Sequence, residues 1–432
     1  MRRTKTARVV AAFITAATIA SLAACGSAGG GQRTEGEPLR ILTGSGPDTG
    51  EFRALEQIVA MYQDEVDAEF EVEYETITDT DDLWKKLRMY LVADTLPDMF
   101  SLANGPIADE LISQGKLVNM TEVLTDADVY DQMNAALEDF FVSPDGNLYM
   151  VPSYRGGEMF LYRKDLFEQH GIDVPETWED FLDACQTLAD AGVTPYVLRG
   201  ADSVMLLRFL SFPAWTTSGG EFIDAVQSGD QTFSDGPLGR AGAELLHDLG
   251  TGGYFVPGFQ NMTLGDALDA FSSGEGAITY GNTNFAATFA EQYDAGTVGY
   301  FGIPVDGDEK ESTGSTFPVH GGKGIALNAE SYEADESFRD FFDYYLAHID
   351  EVLYEQGLLS WFDTPIPADA LPPVLVDLGT EIQNQTTGWV SWDDKLDPEV
   401  LTTMGDEANR LIADQTTPDA FLEAVDAAIA NQ

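Results

Sequence analysis

Met159-Phe160-Leu161-Tyr162-Arg163-Lys164-Asp165-Leu166-Phe167 continues through Gly171-Ile172 to Pro175-Glu176-Thr177-Trp178-Glu179-Asp180-Phe181, and its parts call for different backbones. Met159 to Tyr162 is an unbroken apolar run, the composition of a buried strand. Asp165 to His170 then reads as a short helix stopped by Gly171, a residue free to take the left-handed conformation that ends helices. Thr177 stands where an N-cap belongs, and Asp180 three residues on approximates a capping box. Phe181, Leu182, Cys185 and Leu188 recur at helical spacing as far as Gly192, so Cys185 reads as core. A buried strand followed by an amphipathic crossover helix is the repeating unit of an α/β protein.

The alternation extends in both directions. Leu39 to Thr43 is an apolar strand ending in Gly44-Ser45-Gly46-Pro47, after which Phe52, Leu55, Ile58, Val59 and Tyr62 have helical spacing. Phe70, Val72 and Tyr74 alternate with Glu71, Glu73 and Glu75, the period of a strand with one wet face. Leu83, Trp84, Leu87 and Leu91 return to helical period, and Pro97-Asp98 leads into a strand at Met99 to Leu102. Phe140 to Val142 and Leu148 to Val151 flank Ser143-Pro144-Asp145-Gly146-Asn147 and predict a hairpin. Downstream come a strand at Pro195 to Leu198, a helix at Met205 to Phe212, and a polar Gly-rich stretch from Thr216 to Gly239. A helix ending at Gly274, strands at Ala277 to Tyr280 and Val298 to Ile303, a charged loop at Asp306 to Thr316 and a strand at Gly324 to Leu327 follow. From about Tyr332 the pattern is helical, and Pro418 opens the last helix.

Composition narrows the function. The 432 residues carry 74 acidic and 22 basic side chains, a net charge of −52, which excludes sequence-tolerant nucleic-acid binding and attachment to anionic lipid, since both need a cationic face. With 44% hydrophobic residues the chain has enough apolar surface for two or three compact lobes. Two cysteines and four histidines without HExxH spacing give no disulfide framework or zinc motif, and GxxxxGK[ST] and GxSxG are both absent. No cofactor is implied.

The N-terminus indicates the compartment. Arg2, Arg3, Lys5 and Arg8 precede the apolar run Val9 to Ala24, which is shorter than the ~20 residues of a spanning helix and reads as a signal peptide over 1–24. Leu22-Ala23-Ala24-Cys25 resembles the lipobox of bacterial lipoproteins, which implies a lipid on Cys25 and an anchor on the outer face of the cytoplasmic membrane. Residues 25–37, rich in glycine, then serve as a flexible tether. Loss of residues 1–24, with four basic and no acidic side chains, takes the net charge from −52 to −56.

Several segments together resemble the extracellular solute-binding proteins of ABC importers, the family 1 or maltose/oligosaccharide type. Leu96-Pro97-Asp98-Met99-Phe100 is similar to the family's PDhh strand entry. Leu161 to Phe181 is similar to its YNKDLF…G…P.TWdEF block, with Arg163 in place of the usual Asn. Phe271-Ser272-Ser273-Gly274-Glu275-Gly276-Ala277-Ile278 resembles F.sGkaAM, and Gly321-Gly322 to Asn328 resembles a GG…aI strand. The resemblance spans nearly all of the mature chain. It implies a two-lobe periplasmic-binding-protein fold, type II-like, with three interlobe crossings and a ligand cleft between lobes. On that pattern the crossings fall near Arg155 to Glu158, Ala277 to Gly281 and Gly322 to Leu327. Lobe one takes 38–156 and 282–322, and lobe two takes 157–281 and 323–432. Where the family often has Trp after AM.i.G, this chain has Gly281-Asn282-Thr283-Asn284-Phe285.

A sugar presents apolar C–H faces and a rim of hydroxyls, so its pocket needs aromatic planes and directional polar groups. Trp84 and Trp178 lie on helical stripes and read as core. Trp215, Trp361 with Phe362, Trp389 and Trp392 stand in loop-like polar context and are the aromatic candidates. Ser45, Asp48 and Asn104 follow strands, Tyr154 and Arg155 begin the first crossing, Asn282 and Asn284 follow the second, and His320, Gly321 and Gly322 open the third. The implied partners are a carbohydrate, expected to be a neutral oligosaccharide, and the permease subunits of an importer, with the chain acting as a monomer that touches membrane only through its lipid. Two other readings stand beside it. A secreted glycoside hydrolase minimally needs two carboxylates, which 74 acids supply by chance, and a surface adhesin lipoprotein would account for the anchor and the acidity.

Overall fold

The computed structural model describes residues 37–431 apart from 202, 203, 306–315 and 390. The signal peptide, Cys25, all but the end of the tether, and nearly all of the Asp306 to Thr316 loop lie outside the described residues. Two sheets organise the rest. The first has the order β2-β1-β3-β9, with β1 (Leu39–Thr43), β2 (Val72–Thr76) and β3 (Met99–Leu102) parallel and β9 (Gly324–Leu327) antiparallel to β3. The second has the order β5-β6-β4-β7, formed by β4 (Gly156–Arg163), β5 (Thr194–Val197), β6 (Gly276–Asn282) and β7 (Val298–Phe301). The short β8 (Val319–His320) pairs with the start of β4.

Local chemistry accounts for most of these elements. β1 is buried along almost its whole length and takes the centre of its sheet, whereas β2, with its three glutamates nearby, takes the edge. Asp98 accounts for the Pro-Asp entry to β3: its carboxylate accepts the Arg40 amide at 2.8 Å and ties β3 to β1. The capping box at Thr177 and Asp180 is present, and the Trp178–Asp190 helix buries Trp178, Phe181, Cys185 and Leu188. Phe160 of β4 centres the second core, with seven aromatic rings at centroid distances of 5.1–6.2 Å.

Several expectations are corrected. There is no hairpin at 140–151: Phe140 and Phe141 end the Ala135–Phe141 helix, and Val151 makes only an isolated bridge to Ile325. The Thr216 to Gly239 stretch is largely helical, through the end of Val204–Ser218 and all of Glu221–Ser228. Lobe membership also differs. β7, expected in lobe one, pairs with β4 in the second sheet. β9, expected in lobe two, pairs with β3 in the first, and the Glu336–Glu355 helix that follows packs on the Gly50–Glu65 helix.

The crossings move accordingly. β6 is hydrogen-bonded on both sides within the second sheet, so Ala277 to Gly281 is not a passage between sheets. The chain passes at 152–156, returns at 319–324, and passes again at 356–373, where the Pro373–Gln383 helix reaches the helices Thr283–Thr288 and Ala290–Asp294 beside the second sheet. The first two passages touch. Gly156 faces His320 in the register, and a β-carbon at Gly156 would come within 2.3 Å of the imidazole. Gly322 turns with φ +65°, a region that disfavours other residues, against the ring of Tyr154.

Candidate functional site

The two touching passages place Tyr154 and His320 together between the sheets. Their rings meet edge to face at 5.8 Å. His320 Nδ1 accepts the Gly322 amide at 3.3 Å, so the proton of the neutral ring resides on Nε2, a buried atom that has no hydrogen-bond partner among the described residues. Burial pushes the imidazole pKa below its ordinary value, assisted by Arg208 and opposed by Glu158 and Glu51. The Tyr154 phenol is driven far above the usual range by burial and by the same two carboxylates. It is therefore a neutral hydroxyl at any physiological pH.

The second lobe adds a polar cluster beside this pair. Glu158, two residues beyond Gly156 and on the same face of β4, accepts a hydrogen bond from the Tyr280 hydroxyl of β6. Arg208 Nε lies 3.8 Å from the Glu158 carboxylate, with the two side chains 12% and 13% exposed. The guanidinium donates to Ser391 Oγ and sits over the Trp389 ring, 5.4 Å from its centre. Burial is the main cause of the raised Tyr280 pKa, followed by Glu158. The first lobe contributes Ser45, Glu51 and Ser153, which line a small cavity at the carboxyl ends of β1 and β3. Charge-paired, partly dry and rich in fixed donors and acceptors, this is a surface suited to a neutral polar molecule.

The other expected residues divide by location. Asp48 and Asn284 are exposed, and the Asp48 carbonyl accepts from Arg53. Asn104 donates to the Phe140 carbonyl, and Asn282 caps the Thr283–Thr288 helix through the Phe285 amide at 3.0 Å. Phe285 folds back onto Gly281 and fills that loop. Arg155 turns away from the Tyr154–His320 pair: it is fully buried, 3.0 Å from Asp363, in contact with the 356–373 passage. Gly321 packs on Phe141 and Pro152, where a side chain would collide.

The tryptophans are where the expectation changes most. Trp215, Trp361, Trp389 and Trp392 are 1%, 0%, 2% and 4% exposed. Trp215 lies inside a helix and donates to the Gly388 carbonyl at 2.9 Å. Trp361 stacks on Phe362 at 3.9 Å, and Trp392 packs between Phe222 and Phe233. Only Trp389 adjoins the polar cluster, through Arg208. Trp178 is core as expected, while Trp84 is half-buried at the edge of its helix stripe.

Glu51, Glu158, Arg208, Tyr280 and Ser391 escaped sequence reasoning, although two carried a signal. Arg208 is the only charged residue of the Val204–Ser218 helix, and a lone charge in an apolar helix must find a partner when buried. Glu158 interrupts an apolar strand just after a glycine pair.

A curated osmoprotective compounds-binding protein of Synechocystis is 31% identical over 104 residues, covering 24% of each chain. A multiple sugar-binding protein of Streptococcus mutans is 25% identical over 163 residues, covering 36% of this chain and 38% of that one. The matches thus span about a quarter and somewhat over a third of these relatives. Among solved structures, a chitin oligosaccharide binding protein superposes with a TM-score of 0.72 at 21% identity, covering 91% of this chain and 98% of the other, and so shares the fold. The profile described as bacterial extracellular solute-binding protein matches residues 46–349, and the chain belongs to that family.

Proposed function

We propose that this protein is a lipid-anchored receptor that captures a neutral carbohydrate between its two lobes by hinge closure and delivers it to the permease of an ABC importer. The observation that carries the reading is the Tyr154–His320 pair beside Glu158, Arg208 and Tyr280, where two passages between the sheets touch. Paired charges and neutral phenols match hydroxyl groups, which both donate and accept. The multiple sugar-binding and chitin oligosaccharide binding relatives support a carbohydrate. The protein acts as a monomer, with solute, permease and, through Cys25, membrane as its partners.

The test is thermal unfolding of the purified protein with a panel of mono- and oligosaccharides, with product release assayed in parallel. A ligand at 100 times its dissociation constant adds about 2.7 kcal/mol of stability. Stabilisation without product supports a receptor, whereas steady hydrolysis of the stabilising sugar overturns it. The affinity for that sugar changes less than about twofold between low and high salt, because no net ligand charge is screened. A preference for a phosphorylated or carboxylate solute that weakens steeply with salt contradicts the neutral-ligand reading.

The anchor has its own expected outcome. Cys25→Ser releases the protein from membranes or leaves an unprocessed precursor, with solute affinity of the purified protein unaltered. Membrane retention of fully processed Cys25→Ser protein counts against lipidation.

A further inference from the structure

His320 differs from the rest of the cluster because its two ring nitrogens have opposite situations. Nδ1 is committed as an acceptor to the Gly322 amide, inside the 319–324 passage. Nε2 is buried and has no partner among the described residues. The imidazole is confined by the bare Cα of Gly156 on the adjoining strand and by Tyr154. A second proton can enter only at Nδ1, where it would meet an N–H that already points there, so protonation requires the Gly322 peptide to move. Gly322 is also where the passage turns with positive φ.

We propose that His320 is a positioning residue that couples solute binding to pH: neutral, it holds the second passage in the cleft-forming geometry, and protonation frees that passage and lowers solute affinity. The proposal rests on the carbohydrate-receptor reading and adds its regulation. The charged and titratable groups around the ring come from every packed element. Glu158 on β4 and Glu51 on the Gly50–Glu65 helix favour the proton, while Arg208 on the Val204–Ser218 helix opposes it. Tyr154 is neutral, and Tyr280 is bound to Glu158. On the Ala135–Phe141 helix beneath β8, Asp139 is engaged by the Gly388 amide and Glu138 by the Tyr130 hydroxyl. Desolvation outweighs the carboxylates, and the folded ring resists a proton that the unfolded chain accepts near pH 6.5. The sign follows from that difference: stability at this site is full above about pH 6.5 and declines as pH falls. States in which the passage has opened take up the proton, so acid shifts the population away from the solute-binding form.

Two measurements on the full chain decide it. Nitrogen-15 NMR of the four histidines, with His320 assigned by its loss in His320→Gln, is expected to show the Nε2–H tautomer and a titration below pH 6.5. Affinity for the sugar found in the stabilisation panel is expected to fall about tenfold between pH 7.5 and 5.0. In His320→Gln, which keeps a side-chain donor but cannot titrate, binding is weaker at pH 7.5 and the decline is absent. An Nδ1–H tautomer, a titration at or above pH 6.5, or the same decline in His320→Gln overturns the proposal. If no carbohydrate binds, the receptor reading fails separately, and melting of the unliganded proteins still decides the coupling: the wild type should lose more stability than His320→Gln on going from pH 7.5 to 5.0, and equal losses overturn it.

Discussion

Arg208→Met weakens carbohydrate binding by roughly 30-fold to 5,000-fold, the equivalent of about 2 to 5 kcal/mol for truncating one member of a desolvated charge pair in a binding site. Two features of the wild type and one of the variant set the size of the effect. The guanidinium spans Glu158, Ser391 and the Trp389 face, so its loss removes a directional donor and also frees the Trp389 ring to shift. It leaves Glu158 charged, with the Tyr280 hydroxyl as its hydrogen-bond donor in a poorly hydrated place, and a carboxylate without its cation binds a neutral sugar less well than the pair does. Methionine fills most of the vacated volume, which keeps the helix packed. Arg163→Met is the control, since the Arg163–Asp165 pair is a partly exposed contact between neighbours in sequence, and it should change affinity less than about twofold. Calorimetric titration of both variants with the stabilising sugar is the measurement. Unchanged affinity in Arg208→Met removes the Glu158–Arg208 cluster from the site.

Trp392→Ala destabilises the protein by about 3 to 5 kcal/mol, as deletion of a large buried ring does, and lowers the melting temperature by about 10 °C for a lobe of this size. The ring is 4% exposed and packs on Phe222 at 5.9 Å and Phe233 at 5.0 Å, within the second lobe. Its polar neighbours in sequence had pointed to the cleft instead, and a cleft ring would show the opposite pattern: weaker binding with little change in unliganded melting. Scanning calorimetry with and without sugar separates the two. The folded fraction of Trp392→Ala should bind normally, and a variant that melts like the wild type but binds poorly restores Trp392 to the site.

The legible part of the fold was the part governed by neighbours in the chain. The Thr177 capping box, the apolar run of β4, the Pro418 start of the last helix and the limits of β9 were all readable, because a cap or a pleat depends on residues three or four positions away. The hairpin at 140–151 fails for an instructive reason. Ser143-Pro144-Asp145-Gly146-Asn147 does make a turn, with Ser143 and Asn147 hydrogen-bonded at 2.9 Å, but the residues before it already belong to a helix capped at Asn134. Turn chemistry specifies the reversal of the chain, and what enters the turn is decided separately.

The site was legible only in outline. Of the expected residues, Tyr154, His320 and Gly322 lie together where two passages between the sheets touch, since strand ends collect such residues. Arg155, adjacent to Tyr154, points elsewhere because successive residues of an extended chain face opposite sides, and its partner Asp363 lies 208 residues away.

Local sequence dictated the helices, the strands and the alternation that makes this an α/β protein. The tertiary structure alone decided which sheet received β7 and β9, where the chain passes between the lobes, and which tryptophans remain near the cleft. Strand pairing and ring burial are sums over contacts between distant segments, and a residue's sequence neighbours contribute little to them. Glu158 and Arg208 are fifty residues apart in the sequence. Only the closing of β4 against the Val204–Ser218 helix turns an odd glutamate in a strand and a lone arginine in an apolar helix into one neutral, directional surface.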